Sequence, residues 1–529
     1  MNVRRTLAAS SLSILAVLGT VAPASTSAAA GPSEVALTWA PEYMSPTHQF
    51  TQAQAIAIAQ RFDVVAAMPV AFAKYASAMR TAHPGLKLLA YSNAMYASDR
   101  DYTGLSEAAF AHDANGRHIT SKGFGLTMME PSSPEWRNKA VSLCQGRMST
   151  GGYDGCLLDM LTMAAFVPNY NTALPVAPGT SSTYAQTAWR NELIKVGQAF
   201  PAAMPGHPFT ANAIGNYYSY WHNPYASQPI AANLSSSQME DFLRGSADLA
   251  TAFPGLSVWL DNVNTVADME AMGKDGYFST KVWVGQTAAQ TKQWQAFAMS
   301  SFLMAANGHS YFAFTPSRDQ AGATGANHPY QMPKGLGAPT SAMTSTNGLY
   351  ERTFANGLAL VNPGNAPIDV TINQPGTDLD GNTVTTFTLA PSTGQVLRAQ
   401  PGSTTQLDVD TAGPDTTNVD TVHPTAAVTS RAQDASRVVT ISGTASDDVA
   451  VASVTLAVYS YARQEWYNVG GTFGPYSKLP VTTGTLPSNS TTWSYSAQLP
   501  AGTYGYGLLV QDTSRNGLSP SIWQKFTVS

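Results

Sequence analysis

Short, nearly unbroken apolar runs punctuate the first three hundred residues. They are Val35–Trp39, Asp63–Met68, Lys87–Tyr91, Asp154–Asp159, Phe209–Ala213, Ser237–Glu240, Lys281–Val284 and Ser310–Phe314. Runs with so little alternation are what strands buried on both faces look like. Helical spacing fills the intervals. Gln52 to Phe62 places Ala55, Ile56, Ala59 and Phe62 on one face, and Tyr184 to Phe200 and Thr291 to Ala306 read the same way. Eight strand–helix units predict an α/β fold, a (β/α)8 barrel over residues 31–320. Leu256–Leu260 could be a strand ending at Asp261. However, Trp259, Val263, Val266, Met269 and Ala271-Met272 approximate helical spacing. The segment is therefore read as the sixth helix, and Asp261 is set aside.

After Pro316 the pattern switches to short alternating runs such as Leu358–Val361, Ile368–Ile372 and Val384–Leu389, separated by turn residues. These predict a small antiparallel β domain over 340–400. Residues 401–423 are rich in Asp, Thr, Gly and Pro and read as a linker. Beyond it, Val438–Ile441, Val454–Val458, Trp493–Ser496 and Tyr504–Leu508 suggest an Ig-like β-sandwich over 424–529. Gly443–Asp448 and Asp512–Gly517 resemble the bacterial Ig-like modules appended to secreted enzymes.

The N-terminus bears on the compartment. A basic Met1–Arg5, an apolar stretch from Leu7 to about Val21 and small residues through Ala30 form a signal-peptide pattern over residues 1–30. Candidate cleavage sites end at Ala24 and Ala30. The apolar core falls short of the ~20 residues a membrane span needs, and no later segment is long enough to cross a bilayer. The expectation is a secreted protein with no membrane span. In an oxidising compartment Cys144 and Cys156 are expected to form a disulfide, with two buried thiols as the alternative.

Composition narrows the function classes. Of 529 residues, 44% are hydrophobic, 10% aromatic and only 12% charged, with a net charge of -5. Disorder needs more charge and fewer aromatics. Nucleic-acid binding needs basic clusters, and none stands out here. Gly-x-Ser-x-Gly, His-Glu-x-x-His and phosphate-loop motifs are missing from the sequence, which disfavours an esterase or deacetylase. His112, Asp113 and His118 read as a turn of solvated residues, so no metal and no cofactor are expected.

In a barrel, chemistry gathers at the C-terminal ends of the strands, where the βα loops converge. Asp159 closes the fourth strand and Glu240 the sixth, with Asn212 near the end of the fifth. Two carboxylates on separate strands suit glycosidic cleavage: one protonates the leaving oxygen, and the other is base or nucleophile at the anomeric carbon. Asp241 should point away from Glu240 by strand alternation, and Asp154 should buttress the fold. Aromatic faces stack on sugar rings. Tyr217, Tyr218 and Trp221, in the loop after the fifth strand, are candidates for that role, as are Trp39, Tyr91 and Trp283 at strand ends.

Phe62–Val65, Lys87–Tyr91, His112–Gly116, Pro131–Arg137, Tyr153–Asp159 and Met239–Phe242 together resemble the hypothetical glycosyl hydrolase family 15. A more distant likeness is to the endo-α-1,4-polygalactosaminidases. The Asp-Gly-x-x-x-Asp signature at 154–159 is the most specific part. By this likeness Asp159 is the strand-four carboxylate and Glu240 the strand-six one. The reading is a secreted, monomeric glycoside hydrolase acting on a polysaccharide or glycan. A non-catalytic glycan-binding or wall-associated protein on a barrel scaffold is the alternative. The C-terminal module is expected to move independently on its linker, with Trp466, Tyr467 and Trp493 as a candidate binding face from which core packing is expected to take at least one.

Overall fold

Eight parallel strands close into a barrel in chain order: β1 (Leu37–Tyr43), β2 (Val64–Ala67), β3 (Lys87–Asn93), β4 (Gly155–Asp159), β5 (Phe209–Ile214), β6 (Ser236–Met239), β7 (Asp275–Lys281) and β8 (Ser310–Thr315). The computed structural model describes residues 34–43, 47, 49–167, 170–222, 226–245, 248–283, 287–315, 333–413, 422–463, 465–474, 478–513, 516–518 and 522–529. The expected leader at 1–30 lies outside the described residues. The last helix after each of the first seven strands is, in order, α1 (Gln52–Ala59), α2 (Ala76–Ala82), α3 (Pro134–Gly151), α4 (Gln186–Ala203), α5 (Gln228–Asn233), α6 (Leu256–Ala271) and α7 (Ala288–Leu303). Local sequence sets their ends. Thr51 and Thr287 each form a capping box with the Gln three residues on, and Gly152 ends α3 in the left-handed conformation at φ 63°. No helix among the described residues is long and apolar enough to cross a membrane.

Two strands differ from expectation. The seventh was placed at Lys281–Val284 but runs from Asp275 to Lys281, in register with β8 from Ser310↔Gly276 to Thr315↔Lys281. Its Ser279 and Thr280 are fully buried, so an apolar-run criterion slides past them to Val282 and Trp283. The first strand was expected to end at Trp39 but continues to Tyr43. Trp39 therefore fills the barrel and does not line a cleft. It is fully buried, its Nε1–H donates to the Phe278 carbonyl at 3.0 Å, and Tyr277, Leu89, Leu157, Tyr311 and Ala313 pack in the same interior cluster.

Contacts at the bottom of β4 are tight. Asp154 buttresses the fold there: its Oδ2 accepts from Leu88 N at 2.7 Å and its Oδ1 from Arg80 Nη2 at 2.8 Å. A Cβ on Gly155 would stand 1.6 Å from the Pro208 carbonyl oxygen. Backbone cannot yield there as a side chain can. Gly155→Ala should destabilise the barrel by at least about 2–3 kcal/mol, read as a lowered midpoint in denaturant unfolding followed by tryptophan fluorescence. Cys144 on α3 and Cys156 on β4 are joined in a disulfide, which settles the alternative left open by the sequence.

Strands from Thr344 to Ala412 build a seven-stranded antiparallel sheet that packs on α7. A Cβ on Gly394 would meet Ser300 Cβ at 2.5 Å, so sheet and helix lie in direct contact. Arg352 Nη1 donates to the Leu303 and Ala306 carbonyls at 3.0 and 2.7 Å, satisfying orphan acceptors at the end of α7. The expected linker from 401 is ordered at its start. Val409–Ala412 pairs with Ile368–Thr377, and Leu407 is buried beneath them. A few apolar residues spread among Asp and Thr are too little for composition to register a strand.

Nine further antiparallel strands between Thr425 and Val528 enclose Leu456, Trp493, Tyr504 and Tyr506. This sheet touches the rest of the protein: Asn516 Oδ1 accepts from Ser257 N at 3.2 Å, and Asn365 Nδ2 donates to the Thr513 carbonyl at 2.9 Å. The docking uses backbone and amide groups at loop ends, and the count of apolar side chains in the linker could not anticipate it.

Candidate active site

Asp159 and Glu240 meet at the C-terminal mouth of the barrel, on either side of Asn212. Asp159 is the last residue of β4, and Glu240 follows directly on β6. Asn212 Nδ2 donates to Asp159 Oδ1 at 2.9 Å and to Glu240 Oε2 at 3.2 Å. One nitrogen within those distances of both oxygens cannot leave them more than about 6 Å apart. Asn212 Oδ1 is buried with no partner among the described residues.

Tyr91, two residues short of the end of β3, donates its hydroxyl to Asp159 Oδ2 at 2.7 Å. Met160 N donates to Asp159 Oδ1 at 2.9 Å, from a residue held at φ 67°. Leu243, three residues beyond Glu240, sits at φ 66°. Left-handed non-glycine residues cost energy and cluster at functional sites.

Glu240 is ion-paired with Lys281, the last residue of β7, whose side chain is only 6% exposed against 43% for Glu240. Lys281 Nζ lies 5.1 Å from the centre of the Trp283 ring, and Trp283 Nε1 donates to Thr315 Oγ1 at 3.2 Å. Sequence reasoning missed Lys281 because it set that residue at the start of a strand, and a strand's start lies far from the mouth.

The two carboxyls are driven apart electrostatically. Burial pushes Asp159 above its ordinary value and the Glu240 charge adds to this, against the hydrogen bonds from Tyr91, Asn212 and Met160. Burial acts on Glu240 in the same direction. There the Lys281 charge and hydrogen bond, with Asn212, outweigh it and hold the group below its usual range. Asp241 is pushed up to about 7 by burial, with Glu240 and Asp248 adding and Lys281 opposing. Glu240 and Asp241 both lie past the end of β6, so strand alternation does not separate them. Tyr170, in the loop after β4, is pushed up to about 12 by burial, Asp159 and Glu240 together. Its hydroxyl donates to Met160 Sδ at 3.3 Å, and nothing in its irregular segment marked it in the sequence.

The aromatic loop after β5 is a short helix, Tyr217–Trp221, capped by Asn216. Tyr220 is core, its hydroxyl bonded to Asp268 at 2.7 Å. Trp221 turns to α6, with Nε1 donating to the Asp261 carbonyl and Thr265 Oγ1 at 3.1 and 3.0 Å. Tyr218 is exposed and stacks on His222 at 4.4 Å, while Tyr217 is half-buried near Asp248 and Asp261. Trp221 thus ties the short helix to α6.

Residues 76–358, just over half the chain, match the hypothetical glycosyl hydrolase family 15. The chain belongs to that family. The chain has no sequence match among curated proteins. Its likeness to solved structures is distant. A maltogenic alpha-amylase, AmyB from Thermotoga neapolitana, is 10% identical with a TM-score of 0.42, over 69% of this chain and 98% of that one. A pullulanase from Anoxybacillus sp. LM18-11 is 8% identical with a TM-score of 0.38, over 62% of this chain and 55% of that one. Likenesses so distant say nothing about substrate.

Proposed function

We propose that this member of the hypothetical glycosyl hydrolase family 15 is an exported enzyme that cleaves O-glycosidic bonds of a polysaccharide or glycan with retention of configuration. The observation that carries the reading is the single Asn212 amide bonded to both Asp159 and Glu240. Retaining enzymes hold their carboxyls about 5–5.5 Å apart, whereas inverting enzymes leave about 6.5–9.5 Å for a water. The bound set by Asn212 holds for one oxygen of each carboxyl and falls below the inverting range, which supports retention.

The charge pattern supports a division of labour. Glu240, kept anionic by Lys281, attacks the anomeric carbon. Asp159, whose proton is favoured by burial, donates it to the departing oxygen and then takes a proton from water as the glycosyl–Glu240 ester is hydrolysed. Asn212 holds the two carboxylates in register, and Tyr91 and Trp283 supply aromatic surface beside Asp159 and Lys281. The test is a screen of polysaccharides and aryl glycosides for reducing-sugar release by the wild type and by Asp159→Asn and Glu240→Gln. Undiminished activity in both variants would remove these residues from the mechanism.

The Ig-like reading of 424–529 gives that sheet an accessory role, holding the enzyme on its substrate. Core packing, the fate expected of at least one of the three aromatics, is that of both Trp493 and Tyr467. Trp523, 47% exposed, lies over Gly505 and Gly507, where a Cβ would approach the ring to 2.5 and 3.0 Å; Trp466 stands 6.0 Å away. Truncation after Gly413, which spares the Val409–Ala412 strand, should keep turnover of a soluble glycoside. Trp523→Ala should weaken pull-down on the insoluble polysaccharide roughly tenfold without changing that turnover. A loss of soluble activity in Trp523→Ala would contradict the separation of roles.

A further inference from the structure

The loop between β3 and α3 lies on the same face of the barrel as the carboxylates, and it carries a cluster that the hydrolytic reading leaves unused. Glu107 belongs to a one-turn 3-10 helix, Glu107–Ala109, and His112 and His118 face each other across the hairpin that follows. Asp113 N donates to the Arg117 carbonyl at 2.9 Å and Ile119 N to the Ala111 carbonyl at 3.2 Å. This makes His112 and His118 a non-hydrogen-bonded pair, the closer of the two antiparallel arrangements, with both side chains on one face.

The hairpin is held firmly. The Asp113 carboxylate accepts from Asn115 N at 2.8 Å, Arg117 N at 3.0 Å and the Arg117 guanidinium at 2.9 and 2.7 Å, so it braces the turn and is not turned toward the histidines. The His118 ring stacks on Phe110 with centroids 4.3 Å apart and planes at 12°. Both imidazole Nε2 atoms point at one oxygen, Glu107 Oε1, from 2.7 Å (His112) and 2.8 Å (His118). The three prospective ligand atoms lie within 4.8 Å of one another.

We propose that Glu107, His112 and His118 form a zinc-binding site. Two imidazoles and one carboxylate are a borderline-soft donor set that suits Zn²⁺, whereas Ca²⁺ and Mg²⁺ take oxygen ligands. Zinc bonds His nitrogen at about 2.0–2.1 Å and carboxylate oxygen at about 2.0–2.2 Å, and three protein ligands leave a fourth position for water. Glu107 is largely exposed, so it can withdraw slightly to admit an ion between itself and the two rings.

A bound ion would clip the 3-10 turn to the hairpin. That hairpin braces the loop after β4: Val176 N donates to the His112 carbonyl at 2.9 Å, and Lys122 N donates to the Tyr170 carbonyl at 2.9 Å. The site thus connects through Tyr170, whose hydroxyl donates to Met160 Sδ at 3.3 Å, to the residue that follows Asp159, and serves as a structural brace for that loop.

The test is isothermal titration of the untagged, chelator-treated full chain with zinc chloride, repeated with calcium and magnesium chloride. Wild type should bind one equivalent of zinc and no comparable calcium or magnesium. His118→Phe keeps the stack on Phe110 but removes a ligand atom, and Glu107→Gln keeps an acceptor for the two rings but removes the charge. Each should weaken zinc binding at least about 100-fold. Circular dichroism of each variant without metal checks that it folds, and either variant alone suffices if the other does not. No stoichiometric zinc binding by wild type, or binding unchanged in a folded variant, would overturn the proposal.

Discussion

Glu240→Gln and Asp159→Asn should each lower kcat/KM on a natural glycan by about 10³-fold or more. Neither substitution changes shape, so the folded structure should persist and the loss belongs to the chemistry. On the assigned roles the two variants should differ in a diagnostic way. With an activated aryl glycoside, whose leaving group needs little protonation, Asp159→Asn should recover much of the first step and accumulate glycosyl-enzyme. Glu240→Gln should stay inactive with both substrates, because no acid strength in the leaving group replaces a missing nucleophile. Burst kinetics and intact-protein mass measurement distinguish these outcomes, and a covalent adduct on Asp159 would reverse the assignment.

Lys281→Met should have the second largest effect, and that effect should depend on pH. The lysine side chain is nearly buried and its ammonium is what holds the Glu240 carboxyl below its usual range against burial. Without it only the Asn212 hydrogen bond opposes burial, and Glu240 takes up its proton at higher pH. The nucleophile must be ionised, so the acid limb of the kcat/KM profile should move to higher pH. Activity near pH 5–6 should fall roughly 10–100-fold, with much of the loss recovered on the alkaline side. A loss equal at every pH would assign Lys281 a merely structural role. Lys281→Arg, which keeps the charge, should preserve the position of the limb even if the geometry suffers.

Much of the barrel could be read from sequence because its strands are buried on both faces, and burial on both faces leaves a continuous apolar trace. The reading failed where barrel positions are filled by small polar residues. Ser279 and Thr280 hid the true β7, and Lys281 was therefore missed and Trp283 placed a little too early on its strand. Asp159, Glu240 and Asn212 were legible because strand ends define the mouth. The converse error was Trp39, where an aromatic at an apparent strand end proved to be mid-strand and inside the barrel. Tyr170 and the Glu107 partner of His112 and His118 depend on how loops fold over one another, which no local period records. Trp221 was chosen for its ring, yet its indole nitrogen is spent on α6.

The account rests on two carboxyls close enough for direct displacement, and stereochemistry reads that spacing. Proton NMR of the anomeric region, taken in the first minutes after enzyme is added to a cleaved glycan or aryl glycoside, identifies the product before it mutarotates. The account predicts that the first sugar released carries the anomeric configuration of the substrate. Initial release of the opposite anomer would contradict it.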